Sequence, residues 1–128
     1  MATSYRTVLS DVVPEGVTSL LSGSLVDESG AALGSGQLST FKLTLYRLTA
    51  GRPVINSRSA VSILNTGPGS IDAGGAWTIT LDPADNAIAA SSKGSESHRA
   101  LLEWTYGLGG AKAGKHEIEF LVQNLDKV

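Results

Sequence analysis

Apolar and polar side chains alternate along two stretches near the C-terminal end of the chain. In residues 100–106 the even positions hold Ala, Leu, Trp and Tyr, and in residues 116–122 the even positions from 118 onward hold Ile, Phe and Val. A period of two places one face of a strand on a core and the other in water. The glycine-rich residues 107–114 between them permit a chain reversal. We therefore predict a closing β-hairpin.

Other stretches predict further strands. Two of them alternate clearly, and the others are shorter or less regular. All are bounded by Gly, Pro, Asp or Asn, which are the residues that turns prefer. The predicted strands are residues 20–26, 41–46, 60–64, 70–71 and 77–81.

One stretch, residues 83–90, has a helix-like pattern, and Asp82 before it would cap at most a turn or two. The rest of the chain alternates short strands and turns without helical crossovers. We therefore predict an all-β fold, an immunoglobulin-like or jelly-roll-like β-sandwich of about seven strands with an extended N-terminal segment. The last three strands, with Asp85 in the loop ahead of the final pair, follow the order of immunoglobulin-like domains.

The 128 residues fit one domain. Residues 18–128 are predicted to form a single β-sandwich domain, and the Pro-Glu-Gly sequence at 14–16 separates residues 1–17 from it. Two interpretations of residues 1–17 stay open. They are either the first strand of the sandwich or an arm that pairs with the sheet edge of a neighbouring subunit. The candidate subunit contacts are Tyr5, Arg6, Val8, Leu9, Val12, Val13, Leu125 and Val128.

Composition excludes several classes of site. The chain has no cysteine, which excludes disulfides and thiolate metal sites and suits a protein made in a reducing cytoplasm. A net charge of -2 supplies no large positive field for nucleic acid. No apolar run approaches the roughly 20 residues that span a bilayer, and the N-terminus does not resemble a secretory signal. We expect neither nucleic acid nor a membrane as a partner.

The titratable residues do not predict an active site. His98 and His116 are expected at opposite ends of the hairpin, too far apart to share a metal ion. Glu117 and Glu119 are expected to share a solvated face, where both stay ionised, whereas acid–base catalysis needs carboxylates in different environments. Asp82 and Asp85 could contribute to a calcium site, but helix capping is the stronger interpretation. We predict no catalytic, cofactor-binding or metal-binding residue, and no enzyme.

The aromatic residues decide between core packing and a sugar platform. Those on the apolar faces of strands are expected to pack in the core. They are Trp77, Trp104 and Phe120. The remaining rings would be the candidates for binding a glycan. They are Tyr5, Tyr46, and Phe41 or Tyr106.

Several segments together resemble small structural proteins encoded among the head and tail genes of tailed bacteriophages. The resemblance spans about residues 40 to 125. It is carried by residues 44–46, 54–58, 63–65, 76–86, 98–106 and 114–125.

This resemblance implies a virion component, made in the bacterial host cytoplasm. The resemblance does not say which place in the particle the protein occupies. Our leading hypothesis is a capsid decoration (cement) protein that binds neighbouring capsid subunits, with phage structural proteins as partners, the major capsid protein favoured, and a homo-oligomer within the particle. The alternatives are a tail, neck or baseplate accessory protein, or a carbohydrate-binding module on the virion surface. The resemblance implies no cofactor.

Overall fold

A computed structural model describes residues 6–10, 12–49, 51–88 and 94–124. Within these residues the chain forms nine strands and one short 3-10 turn, so the predicted all-β class is confirmed. No helix in this part of the chain has the length and apolar character needed to cross a membrane. The strands are β1 (Arg6–Val8), β2 (Val13–Pro14), β3 (Ser19–Ser24), β4 (Leu38–Arg47), β5 (Val61–Ser62), β6 (Gly69–Ile71), β7 (Ala76–Leu81), β8 (Ser95–Tyr106) and β9 (Lys112–Gln123).

The strands form two packed sheets. The larger sheet has the order β1-β9-β8-β4-β5, and β2 also pairs with β9. The smaller sheet has the order β3-β7-β6. Of the two predicted arrangements, this is the immunoglobulin-like one. The strands β9, β8 and β4 are neighbours in one sheet, and β3, β7 and β6 are neighbours in the other. The predicted β-sandwich is therefore confirmed.

The core lies between the sheets and follows the alternation in the sequence. In β8 and β9 the buried apolar side chains fall on even positions, as predicted. The Phe41 ring meets Trp77 and Trp104 edge-on, with ring centroids 6.4 and 6.3 Å apart. The apolar side chains on the inward faces of β4, β7, β8 and β9 are buried. They include Phe41, Leu43, Leu45, Trp77, Ile79, Leu81, Leu102, Trp104, Ile118, Phe120 and Val122.

The two strands of the final hairpin begin earlier than predicted. β8 begins at Ser95 instead of residue 100, and β9 begins at Lys112 instead of residue 116. The added part of β8 buries Glu96 and His98, which no search for alternating apolar residues includes. The start of this strand could not be predicted from the apolar pattern because polar side chains occupy its inward positions.

The loop predicted over residues 107–114 is correspondingly shorter. Gly107, Gly109 and Gly110 have positive φ angles and make the reversal. Gly114 instead lies inside β9, where a Cβ would come within 2.5 Å of the Trp104 indole. This glycine permits close packing and is not part of a turn.

The helix-like stretch at residues 83–90 was predicted to form at most a turn or two, and its described part forms turns instead of a helix. Residues 83–86 form consecutive turns, and the described part of the stretch, residues 83–88, contains no helix. Asp82 accepts a hydrogen bond from the Asp85 N–H at 3.1 Å, so it caps a turn. The chain does not continue as a helix because Asp85 and Asn86 are fully buried and bond to other segments.

Candidate functional site

The described part of the N-terminal segment lies along the sandwich's own larger sheet. β1 and β2 both pair with β9 in parallel, with Thr7 opposite Ile118 and Val13 opposite Val122. The Leu9 N–H donates to the Glu119 carbonyl at 2.9 Å, which continues the ladder past β1. We call residues 6–10 and 12–17 the N-terminal edge, because they form one margin of this sheet.

The candidate contact residues differ in their exposure along this edge. Val8 is 63% exposed, Val12 is 46% exposed and Leu9 is 36% exposed. Val13 is half-buried and packs against the core. Arg6 begins β1 opposite Glu117. Tyr5, Leu125 and Val128 lie outside the described residues. The contacts of this set with neighbouring subunits stay a prediction.

More apolar surface lies on the same side of the sandwich. Val17 and Leu20, just before and within β3, are 38% and 62% exposed. Leu9 and Leu20 line a common opening, whereas Val8, Val12 and Val17 do not line it. Contiguous exposed apolar patches often mark surfaces that bind something.

The opening is a groove of about 810 Å³ between the margins of the two sheets, which we call the side groove. The larger sheet extends beyond β9 to β1, whereas the smaller sheet ends at β3. The inner face of β1 and of the first half of β9 therefore has no strand opposite it among the described residues. The groove is lined mainly by apolar side chains of both sheets. They include Leu9, Val13, Leu21, Trp77, Trp104 and Ile118.

Polar groups at the rim of the side groove are paired with one another. Glu28 accepts hydrogen bonds from Lys112 at 2.5 Å and from the Tyr106 hydroxyl at 3.2 Å. The bond from Lys112 is the main reason that the pKa of Glu28 is lowered. Thr7 Oγ1 lies 2.8 Å from His116 Nε2 and so ties β1 to β9. These contacts hold the rim together.

The sequence suggested that Glu117 and Glu119 lie on a solvated face, but in the structure both are paired with a cationic side chain. Both are about one-quarter exposed and form ion pairs with Arg99, at 3.4 Å and 2.9 Å. The hydrogen bond from Arg99 to Glu119 is the main cause that raises the pKa of the guanidinium. The register that places Arg99 opposite Glu119 is a property of the folded sheet. The two carboxylates have a structural partner and the same environment.

The histidines are also placed differently from the expectation. His98 lies opposite Phe120 and His116 lies opposite Leu102, so both are inside their strands and not at opposite ends of the hairpin. His98 is fully buried, and its Nε2 lies 2.7 Å from Glu96 Oε1. Burial lowers the pKa of the imidazole, and Glu96 opposes this effect.

An acidic partner of His98 is thus present, but the side groove does not reach it. Arg47 donates to the same Glu96 oxygen at 2.8 Å, so this carboxylate links both cationic or basic side chains. The buried Nδ1 of His98 has no hydrogen-bond partner among the described residues. Within the described residues, no three His, Asp or Glu side chains are grouped as metal ligands.

Asp82 and Asp85 both form ion pairs with the guanidinium group of Arg58. Asp85 is fully buried and accepts hydrogen bonds from Arg58 and from Asn56, each at 3.0 Å. Arg58 also reaches Asp82 at 3.2 Å. Burial alone would raise the pKa of Asp85, but the bonds from Arg58 and Asn56 outweigh it and lower the pKa. These acids fasten the turn at residues 83–86 to the segment before β5.

The aromatic rings lie inside the sandwich. Every aromatic side chain with described burial is at most 9% exposed, including Tyr46 and Tyr106, which the sequence had left as candidates for a sugar platform. Tyr5 lies outside the described residues. The six described rings are Phe41, Tyr46, Trp77, Trp104, Tyr106 and Phe120. Stacking on a sugar needs an exposed ring face, so this part of the chain lacks the platform that a carbohydrate-binding module uses.

Comparison with known proteins adds no relative. No protein-family model, no curated protein and no solved structure matches the chain. The N-terminal edge and the side groove are thus the features of the described residues that point to a function.

Proposed function

We propose that this chain is a non-enzymatic virion structural protein of a tailed phage, a capsid decoration protein that binds neighbouring capsid subunits through its N-terminal edge. The observation that carries the proposal is the set of exposed apolar side chains along the N-terminal edge and at the start of β3. Val8, Leu9 and Val12 on the larger sheet and Val17 and Leu20 beside it are all more than one-third exposed.

Burial of such side chains is the main source of affinity in protein association. Fully covering one valine or leucine contributes roughly 1.5–3 kcal/mol, and covering the exposed part of one contributes a fraction of that. Ordering two subunits costs a comparable amount, so one copy would bind weakly. A decoration protein binds in many copies across a regular lattice, where the repeated contacts offset that cost.

The composition of the outer surface favours the same role. The outward side chains of the smaller sheet include Ser22, Ser24, Thr78 and Thr80, which lose little rotamer entropy when a neighbour covers them. Ionisable groups on the larger sheet are mostly neutralised in pairs such as Arg99 with Glu119. Neutral surfaces with small side chains permit close subunit contact.

The resemblance of residues 40–125 to small head and tail proteins of tailed phages supports the virion as the setting. The resemblance does not distinguish the capsid from the tail, neck or baseplate. Those alternatives would use the same edge against a different neighbour.

The test replaces one exposed valine of the edge with a charged residue. Val8→Asp should reduce binding to particles of the encoding phage that lack this protein by at least about tenfold, because the contact would bury an unpaired carboxylate. Co-sedimentation with the particles measures the bound fraction.

Val54→Asp is the matched control. Val54 is 42% exposed and pairs with Tyr46, away from the N-terminal edge. This variant should bind like the unmodified protein. If both variants bind equally well, the N-terminal edge is not the docking surface.

A further inference from the structure

We propose that the side groove accepts one extended, uncharged segment of a neighbouring subunit, which pairs with β3 as a fourth strand of the smaller sheet. The source of the segment rests on the proposed docking function. The shape and chemistry of the acceptor rest on the fold alone.

The first observation is a row of backbone hydrogen-bonding groups on β3 that have no partner in the described part of the chain. The Thr80 N–H donates to the Pro68 carbonyl at 2.9 Å, so the backbone of Thr80 points away from β3. Leu20 is opposite Thr80 in the antiparallel pair. In an antiparallel pair, two opposite residues either hydrogen-bond to each other or both point away from each other. Because Thr80 points away from β3, Leu20 points away from β7, and its N–H and C=O lie at the open margin. By alternation those of Ser22 and Ser24 do so as well.

The second observation is that this margin lacks the usual protection of an edge strand. Natural edge strands carry lysine, proline or a bulge that discourages pairing with another chain. Residues 17–26 contain no charged residue and no proline. The start of β9, residues 112–116, pairs with β8 on one side only and carries Lys112, Lys115 and His116. The strands β5 and β6 are two and three residues long. Among these margins β3 is the one suited to accept a strand.

The third observation is the apolar floor beside β3. The groove is bounded on one side by β3 and on the other by inward side chains of the N-terminal edge, Thr7, Leu9 and Val13. A strand added to β3 would lie above these side chains and cover them. The floor also holds Trp77, which packs so closely on Gly23 that a Cβ there would come within 2.6 Å of the ring.

These boundaries favour a single segment over a second copy of the sandwich. The larger sheet already extends one strand beyond β9, to β1. A second copy joined edge to edge at β3 would bring its own β1 and β9 into the layer that β1 occupies. One extended segment needs only the missing position in the smaller sheet.

The chemistry of the segment follows from the acceptor. β3 has six residues, so the segment needs about six extended residues to pair with all three positions whose backbone N–H and C=O lie at the open margin. Alternate side chains would enter the groove beside Leu21 and Trp77, which requires them to be apolar. The others would face outward beside Ser22 and Ser24. The absence of charge along residues 17–26 favours a neutral segment.

The test uses a capped synthetic heptapeptide of alternating threonine and valine as the probe, added to the full chain. Binding should slow amide hydrogen exchange at Leu20, Ser22 and Ser24, because these N–H groups gain acceptors. The same peptide with every backbone nitrogen methylated, which has lost all its backbone donors, should give no protection.

Two variants of one residue test the ladder directly. Ser22→Pro removes the central N–H and should weaken peptide binding by at least about tenfold. Ser22→Thr keeps that N–H and should bind like the unmodified chain. Hydrogen exchange in the unmodified chain gives the answer even if Ser22→Pro does not fold.

Several results would overturn the inference. Protection confined to other strands would place the peptide elsewhere. Peptide binding only by a variant lacking residues 1–5 would mean that the chain fills its own groove, and a dimer with Ser22 already protected would mean that a second copy does. If Ser22→Pro binds phage particles normally while Val8→Asp does not, the docking function stands and the groove inference falls.

Discussion

His98 is a fully buried base, and its imidazole shares the Glu96 carboxylate with Arg47. The alternation of β8 predicts that even positions face inward, and both Glu96 and His98 obey it. The partner Arg47 is 49 residues away from Glu96 in sequence, so no local pattern could reveal the network. The same holds for Arg58 and Asp85, which meet through the turn at residues 83–86. At the scale of single residues, the sequence predicts which face of a strand a side chain occupies. Its hydrogen-bonding partner can be identified only from the folded structure.

The burial of His98 has a consequence for stability against pH. The folded state lowers the pKa of His98 below its usual value of 6.5, so below that pH the unfolded chain binds a proton that the folded chain does not. Stability should therefore be highest above about pH 6.5 and should fall as the pH falls through the window beneath it.

His98→Gln removes this titration and keeps an N–H donor for Glu96. The urea midpoint of the unmodified chain should fall more between about pH 7.5 and about pH 5.5 than that of the variant. Equal decreases in the two proteins would show that His98 does not control this dependence.

At the scale of strands, the regular alternation of apolar and polar residues was sufficient to predict the central strands. Residues 41–46 and 77–81 lie within β4 and β7, and the final hairpin is β8 with β9. Prediction was poorer where polar residues are buried, as at Glu96, and where a glycine serves packing, as at Gly114. The parallel pairing of β1 with β9 joins segments about 110 residues apart, and a three-residue strand has too little pattern to indicate it.

The close contact of β8 and β9 at Trp104 gives a second stability prediction. Gly114→Ala would place a methyl group within 2.5 Å of the indole, and neither strand can move without breaking the hairpin ladder. The free energy of unfolding should decrease by about 1–3 kcal/mol.

Gly36→Ala is the control, because a Cβ at Gly36 meets no atom within 4 Å and its backbone needs no positive φ. Its free energy of unfolding should change by less than about 0.5 kcal/mol. Urea unfolding measures both changes. A Gly114→Ala protein as stable as the control would mean that β9 does not pack so tightly on Trp104.

At the scale of the whole molecule, the two sheets are unequal in width on one side. The larger sheet ends in β1 and the smaller in β3, and the side groove lies between these margins. Alternation in the sequence predicts two packed sheets but not how far each extends, since that depends on which strands pair. Residues 1–17 had two possible roles from sequence. The described part of that segment is the edge strand of its own domain and also exposes Val8 and Val12.

Cryo-electron microscopy of the intact phage particle tests the docking proposal most directly, because it locates this sandwich against its neighbours. We predict copies of the chain on the capsid, with Val8 and Val12 against a neighbouring subunit and one extended segment of that subunit beside β3. Particles that lack the chain, or copies that touch the capsid only through the Leu108 loop or β5, would contradict the account.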